Sequence, residues 1–223
     1  LAITGKGRLK NAGLKVIFTQ CFYKIQDTDI QLTPEEINLD GIVLTDTVTK
    51  NQIYITGGIE HESFKKMFYN LDISTRKPNT RGDNNNRPVQ LLNTTAKHSQ
   101  QFYGNVKGTG SLSLLGPQSN MFMKIDAIAS STDSSNITLP NSSSRERKYG
   151  REMTDSDLVS NATSIIYDVD VTANPMVNVK VILDELTGDE IKGRGTGTLN
   201  IRSGTSEPLS LRGRFDIEEG SYV

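Results

Sequence analysis

The sequence predicts an all-β protein with little or no helix. Apolar and polar residues alternate with a period of two over much of the chain, and in one segment Val177, Val179, Val181 and Leu183 share a face. Such alternation is typical of strands with one apolar face and one hydrated face. Turn-forming sequences such as TGG, GPQSN and LTGDE separate the alternating segments, and no long segment follows the helical period.

Further segments show the same alternation along the chain. Their apolar positions are Ile53 and Ile55; Met123, Ile125 and Ala127; Tyr167, Val169 and Val171; and Leu209, Leu211, Phe215 and Ile217. Phe122 and Ile128 interrupt the polar face of their segment. Two polar stretches, near residues 76–88 and 130–157, are predicted to be exposed loops.

Glycines recur at a spacing of two on the apolar face of three segments. They are Gly5 and Gly7; Gly108 and Gly110; and Gly193, Gly195 and Gly197. A strand without side chains on one face can bend, let another backbone approach, or leave room for a ligand. The spacing of a phosphate-binding or dinucleotide-binding loop is absent from these segments. We therefore predict glycine bends in a repeated unit of short strand, turn and longer strand.

The charge balance excludes a strong electrostatic field for binding nucleic acid. The chain has 25 basic and 26 acidic side chains, a formal net charge of -1 and a single cysteine, Cys21. One cysteine forms neither an internal disulfide framework nor a cysteine metal cage. The hydrophobic content of 35% and the lack of tryptophan predict a thin core. Because the pattern is cut at both ends, we interpret the chain as a fragment of a longer protein.

No catalytic residue set, metal site or cofactor is predicted. His61 and His98 are the only histidines, and we expect both to lie in solvated strands or loops rather than to bind a metal. No Gly-x-Ser-x-Gly motif of a nucleophile elbow is present. An apolar sheet face without helices to cover it could pack on a second sheet, close on itself, or stay partly open around an apolar ligand.

The C-terminal part of the sequence contains two consecutive motifs. Asp189–Leu199 reads Asp-x-Ile-x-Gly-x-Gly-x-Gly-x-Leu, and Gly213–Tyr222 reads Gly-x-Phe-x-Ile-Glu-x-Gly-x-Tyr. These motifs resemble the C-terminal region of the translocation and assembly module TamB family, although Phe215 replaces a common tyrosine. The segment Leu91–Leu112 resembles the version found in Bacteroidetes-type Gram-negative bacteria. The resemblance extends over most of the chain.

The resemblance implies a β-taco, which is a long sheet curled into an open groove with an apolar lining. Residues 1–223 would form a single elongated β domain. The family is anchored in the inner membrane, crosses the periplasm and contributes to outer-membrane assembly with a BamA-like barrel partner. It is also grouped with AsmA-like bridge proteins, which are thought to carry phospholipid between membranes.

We therefore predict that the apolar face binds phospholipid or another acyl-chain ligand. The predicted lining consists of Leu112, Leu114, Met123, Ile125, Val177, Val179, Val181, Leu199, Ile201, Leu209, Leu211, Phe215 and Ile217. Without a charged cluster at the seam, selectivity for the headgroup should be weak. In the alternative function the same face is a dry core, and the protein is a scaffold whose open sheet edge binds the barrel partner.

Overall fold

The computed structural model describes residues 4–64, 66–79, 86–99, 102–140, 164–184, 186–205, 207 and 210–222. These residues form one β-sheet of 16 strands and no helix, which confirms the predicted all-β class. Within this part of the chain there is accordingly no helix long and apolar enough to cross a membrane.

The strands of the N-terminal half are β1 Gly5–Leu9, β2 Gly13–Val16, β3 Cys21–Ile25, β4 Thr28–Leu32, β5 Glu36–Asn38, β6 Ile42–Asp46, β7 Gln52–Glu62 and β8 Lys66–Ser74. Those of the C-terminal half are β9 Val89–Asn93, β10 Tyr103–Pro117, β11 Met121–Ala129, β12 Ser135–Leu139, β13 Ile165–Ala173, β14 Val177–Asp184, β15 Asp189–Gly204 and β16 Ser210–Tyr222.

Several of these strands lie end to end along one edge of a longer strand. Gly108 in β10 pairs with β9 on one side and with β11 on the other, and Asn105 pairs with β9 and with β12. The strands β11 and β12 therefore share one edge of β10. In the same way β13 and β14 share one edge of β15, since β16 occupies the other edge.

The end-to-end arrangement explains why the pairing order closes on itself. The pairing order β10, β11, β13, β15, β14 and β12 returns to β10, because β11 is followed by β12 and β13 by β14 along shared edges. Neighbouring strands are antiparallel except at β11–β13 and β12–β14, which are parallel. The sheet is thus a meander of long, interrupted strands with one parallel junction.

One face of the sheet carries a row of aliphatic side chains that lie opposite one another in register. From β6 to β15 the row consists of Ile42, Ile55, Ile73, Leu112, Ile125, Val169 and Ile201. The adjacent row lies on the other face and is polar, with Thr56, Asp72, Ser113, Lys124, Asp168 and Arg202. Because side chains alternate across a strand, this pairing separates an apolar face from a hydrated one.

The sheet curls so that the apolar face lies inside. Phe18, in the turn after β2, contacts Tyr167 in β13 with 5.4 Å between ring centroids. The strands β3, β6, β7, β8, β10 and β11 lie between β2 and β13 in the pairing order. Two elements so far apart in a sheet come into contact only if the sheet bends around, which confirms the predicted curled sheet.

The buried core lies where the N-terminal strands fold over β9. Its larger cluster consists of Cys21, Tyr23, Ile42, Leu44, Ile53, Ile55 and Val89. A smaller cluster of Leu92, Phe102 and Ile201 lies beside it. Many other residues on the apolar face are only half-buried, which agrees with the thin core predicted from composition.

A buried carboxylate ties the β6–β7 turn to β9. Asp46 is 1% exposed, and it accepts hydrogen bonds from the backbone N–H groups of Val48 (3.1 Å), Thr49 (3.0 Å) and Gln90 (2.9 Å). The hydroxyl of Thr49 also donates to it at 2.6 Å. A buried charge is tolerated when its lone pairs are satisfied in this way. The phenol of Tyr23 donates to the Gln90 carbonyl at 2.6 Å and reinforces the junction.

The polar stretch near residues 130–157 differs in part from the predicted loop. Residues Ser135–Leu139 form β12, which pairs with β10 and β14. Ile137 lies on the apolar face, while Asn136 and Thr138 lie on the hydrated face. This alternation is short and is surrounded by polar residues, so the sequence did not indicate a strand. Residues 141–157 of this stretch lie outside the described residues, as do residues 80–85 of the stretch near 76–88.

We expect Asp46→Ala to destabilise the chain by about 3 kcal/mol or more, because it leaves buried N–H donors without an acceptor. Urea denaturation followed by far-ultraviolet circular dichroism measures this loss. Asp126 is exposed on the hydrated face, so Asp126→Ala is the matched control and should change stability by less than about 0.5 kcal/mol. Equal effects of the two substitutions would contradict the role of Asp46.

Candidate functional site

The curled sheet encloses an apolar cavity of about 220 Å³. One wall comes from the C-terminal strands and includes Val106, Leu112, Ile125, Val169, Val171 and Ile201. The opposite wall comes from the N-terminal strands and includes Leu14, Val16, Phe18, Tyr23, Leu44 and Ile53. Most side chains of both walls are aliphatic or aromatic, so the cavity suits an apolar ligand.

The C-terminal wall of this groove is not a dry core along its length. Ile201 is 2% exposed, but Leu112, Ile125 and Val169 in the same row are half-buried. Half-buried aliphatic side chains on a curved sheet leave apolar surface for an incoming chain to cover. Covering such surface is favourable by about 25 cal/mol per Å².

The structure brings the predicted lining residues to one face but not to one cavity. Leu112, Ile125 and Ile201 line the cavity directly. Leu114 and Met123 pair with each other in the next row of the same face. These two side chains are half-buried.

The remaining predicted residues lie farther along the apolar face. Val177, Val179 and Val181 lie opposite the β12 residues of that face, and Val177 is 6% exposed. Leu199 packs against the small core cluster. Near the β16 edge, Phe215, Ile217 and Leu211 occupy register positions opposite Gly197, Gly195 and Ile201. Leu209 lies outside the described residues.

Phe18 and Phe102 also line the cavity, and the sequence analysis did not identify them. Their rings lie 6.1 Å apart, and both residues belong to segments without alternation, so no periodic signal indicated them. Val169 and Val171 did alternate and could have been included. The contribution of the N-terminal strands depends on the curl of the whole sheet, which a local pattern does not specify.

None of the seven predicted glycines has a positive φ, and six of them lie where an added β-carbon would come close to a neighbour. A β-carbon on Gly195 would lie 3.1 Å from the Cα of Ile217 on the paired strand. Added β-carbons would also meet the paired backbone at Gly108, Gly110 and Gly197, and side chains at Gly7 and Gly193. At Gly5 nothing lies within 4 Å.

Charged groups concentrate on the hydrated face outside the groove. Lys124 lies between Asp168, at 3.5 Å, and Asp170. The hydrogen bond from Lys124 holds the pKa of the Asp170 carboxyl below its usual value, and Asn200 adds a second hydrogen bond at 2.8 Å. This network stabilises the outer surface and leaves the apolar interior free of ion pairs among the lining residues described.

Burial keeps the two titratable side chains of the larger core cluster neutral. Burial raises the pKa of the Cys21 thiol and that of the Tyr23 phenol. A protonated, buried thiol is a poor nucleophile. In the part of the chain that the structure describes, no three His, Cys, Asp or Glu side chains are grouped to hold a metal ion.

His61 is buried, and the expectation that it lies in a solvated strand or loop was wrong. Its side chain is 7% exposed and stacks on Phe64 with 4.1 Å between ring centroids. Neither ring nitrogen has a hydrogen-bond partner among the described residues. The residue lies on the apolar face of β7, which alternation around Ile53 and Ile55 would have indicated. His98 is exposed, as expected, and accepts a hydrogen bond from the Thr95 N–H at 3.1 Å.

A second concavity, of about 540 Å³, is less suited to an apolar ligand. It is lined by Asn136, Ile137, Thr138, Asn178, Val179, Lys180, Lys192, Gly193, Arg194, Glu219, Gly220 and Ser221. Its charges are paired, because Lys180 and Lys192 bind Glu190, which is not among the lining residues, and Arg194 binds Glu219. Although it is the larger space, its open and polar lining would not desolvate an acyl chain.

Comparison with known protein families gives a match over most of the chain. The family described as the TamB C-terminal domain matches residues 40–223. No curated protein and no solved structure matches the chain. The matched span includes β6 to β16 and hence the C-terminal wall of the groove, whereas β1 to β5 precede it.

We expect Gly195→Ala to destabilise the chain by about 1–3 kcal/mol, because the added methyl group meets the backbone of the paired strand. Gly5→Ala is the matched control on the same face, and it should change stability by less than about 0.5 kcal/mol. Thermal unfolding of both variants checks the difference. Tolerance of alanine at Gly195 would show that β15 and β16 do not approach as closely as described.

For His61 the expected result depends on the replacement. His61→Ala removes the stacked ring and should cost about 1–3 kcal/mol. His61→Phe keeps a ring and removes two buried nitrogens without partners, so stability should be unchanged or higher. The exposed His98→Ala variant should lose less than about 1 kcal/mol. Urea denaturation of the three variants would contradict this account if His61→Phe were as unstable as His61→Ala.

Proposed function

The chain belongs to the TamB C-terminal domain family, and from this premise we propose that its groove conducts phospholipid between the inner and outer membranes. Membership implies a non-enzymatic role in outer-membrane biogenesis within the periplasmic cell envelope. The observation that carries the proposal is the in-register row of half-buried aliphatic residues along the wall of the cavity.

The energetics of acyl-chain burial support this proposal. Each methylene group taken out of water contributes about 0.8 kcal/mol, so a segment of five contributes roughly 4 kcal/mol. That is sufficient for roughly a thousandfold preference for the groove over water. A continuous aliphatic row offers similar contacts at each step, so a chain can slide along it without a large barrier.

The headgroup would remain at the open edge of the groove in water. Tyr23 and Asp126 are the ionisable residues among those lining the cavity, and Asp126 belongs to the hydrated face. We therefore propose weak headgroup selectivity and movement driven by the lipid concentrations at the two ends. In the full-length protein, an inner-membrane anchor and a BamA-like outer-membrane barrel partner would hold those ends in place.

One observation favours the scaffold function as a second candidate. The strand β16 spans Ser210–Tyr222, 13 residues, and pairs only with β15 among the described strands. An unpaired strand edge can accept a strand from another protein through main-chain hydrogen bonds. In this function the chain would hold the barrel partner without carrying lipid.

We expect Val169→Asp to reduce phospholipid binding at least several-fold, because a lipid tail would have to displace the water around the new carboxylate. The half-buried position allows the carboxylate to stay hydrated in the unliganded chain, so the variant should still fold. Native mass spectrometry after incubation with phosphatidylethanolamine–phosphatidylglycerol vesicles measures the bound lipid, and circular dichroism measures folding.

Thr172→Asp is the matched control, since it introduces the same carboxylate at an exposed position of the same strand. It should bind lipid like the unmodified chain. If Val169→Asp folds and binds as much lipid as Thr172→Asp, the cavity is not the lipid site. If the unmodified chain binds no lipid at all, the scaffold function is favoured.

A further inference from the structure

The turn between β2 and β3 lies across the apolar cavity. Phe18, in this turn, contacts Tyr167 and Phe102 on the C-terminal side, with ring centroids 5.4 Å and 6.1 Å apart. Leu14, Val16 and Thr19 line the cavity from the same hairpin. We call residues 17–20 the roof turn, since they cover the space between the two walls.

The roof turn is held weakly at its tip. Ile17 is 69% exposed and Phe18 is 48% exposed, although both are large apolar residues. The main-chain tie to the C-terminal side, among the residues described, is the hydrogen bond from the Asn93 N–H to the Thr19 carbonyl at 2.8 Å. Two aromatic contacts and one such hydrogen bond are few constraints for a segment at the cavity mouth.

The base of the same hairpin is held firmly. Cys21 and Tyr23 are 2% and 7% exposed, and the Tyr23 phenol donates to the Gln90 carbonyl at 2.6 Å. Thr47 donates its hydroxyl to the Phe22 carbonyl at 2.8 Å. A firm base beside a weakly held tip allows the turn to move while β3 stays in the sheet.

The cavity volume limits how long an acyl chain can enter without movement of a wall. The space of about 220 Å³ is smaller than the roughly 300–1,000 Å³ of pockets that hold drug-sized molecules. Most of the wall strands, namely β3, β6, β7, β8, β10, β11, β13 and β15, pair with neighbours on both edges, so displacing them breaks many backbone hydrogen bonds. Displacing the roof turn breaks one main-chain hydrogen bond to the opposite side, from Asn93 to Thr19.

We propose that the roof turn is a displaceable cover that an acyl chain lifts when it enters the groove. This inference rests on the proposed function and adds a conformational step to it. The entering chain replaces Phe18 against the rings of Tyr167 and Phe102, so the ligand covers the apolar surface that the turn uncovers as it moves away. The turn precedes residue 40 and lies outside the span that the family matches.

Hydrogen exchange at Asn93 reports directly on the roof turn. We expect a dansyl-labelled long-chain fatty acid to lower the protection of the Asn93 amide, measured by nuclear magnetic resonance, at least fivefold. The Gln90 amide donates to Asp46 at the base and is the internal control, so its protection should not fall. Phe18→Ala should lower protection at Asn93 without any probe.

A reversible lock tests whether opening is required for binding. The main-chain hydrogen bond of 2.8 Å between Thr19 and Asn93 and the bond lengths on either side of it keep their Cα atoms within about 7 Å, which is close enough for a disulfide. Thr19→Cys with Asn93→Cys, in a Cys21→Ala background, therefore allows the turn to be locked by oxidation and freed by reduction. We expect oxidation to slow uptake of the dansyl probe at least tenfold, and the reduced form of the same protein is the control.

The outcomes separate this inference from the proposed function. Binding of the probe with unchanged Asn93 protection and equal uptake by oxidised and reduced forms would overturn the roof turn and leave the groove in place. Binding by Phe18→Ala but not by the unmodified chain would support a turn that holds the groove closed. Failure of every form to bind the probe would overturn acyl-chain binding and the roof turn with it.

Discussion

Strand register is the constraint on which the rest of the structure depends. Because the pairing is in register, seven aliphatic residues fall on one line across the sheet, from Ile42 in β6 to Ile201 in β15. A slip of one residue in β11 would exchange Ile125 for Lys124, and the same slip in β13 would exchange Val169 for Asp168. Each strand therefore has one register that keeps charge out of the interior, and the polar row on the other face enforces the same choice.

The apolar face then determines the curl. A wide sheet with one apolar face and no helix in the described part of the chain must cover that face with its own strands. The N-terminal strands fold over β9, and the junction is fixed by a carboxylate, Asp46, whose hydrogen bonds reach the β6–β7 turn and Gln90. Close approach at positions such as Gly195 lets adjacent strands follow the curvature without side chains between them. Register, curl and close backbone contact are thus successive consequences of one sequence pattern.

Local alternation was sufficient to predict the all-β class and the shared face of Leu112, Ile125 and Ile201, because those properties depend on neighbouring residues. It did not predict that Phe18 meets Tyr167, because that contact depends on how far the whole sheet curls. The parallel junction of β11 with β13 was likewise invisible, since nothing in either strand specifies the direction of its partner. His61 was misplaced because it was considered as a possible ligand rather than as a position on the apolar face of β7.

The sizes of the side chains along the groove bear both on its stability and on its proposed function. The aliphatic row is flanked by a row of Gly110, Ala127, Val171, Leu199 and Gly213, whose two glycines lie close to the paired backbone. A sheet packed only for stability would bury its aliphatic row fully. Here Leu44 and Val89, which are among the most deeply buried side chains, lie in the junction with the N-terminal strands, and the C-terminal wall keeps apolar surface partly exposed beside the buried Ile201. The molecule thus holds its curl at one end and leaves apolar surface open along its other wall, which is the separation that the proposed acyl-chain groove requires.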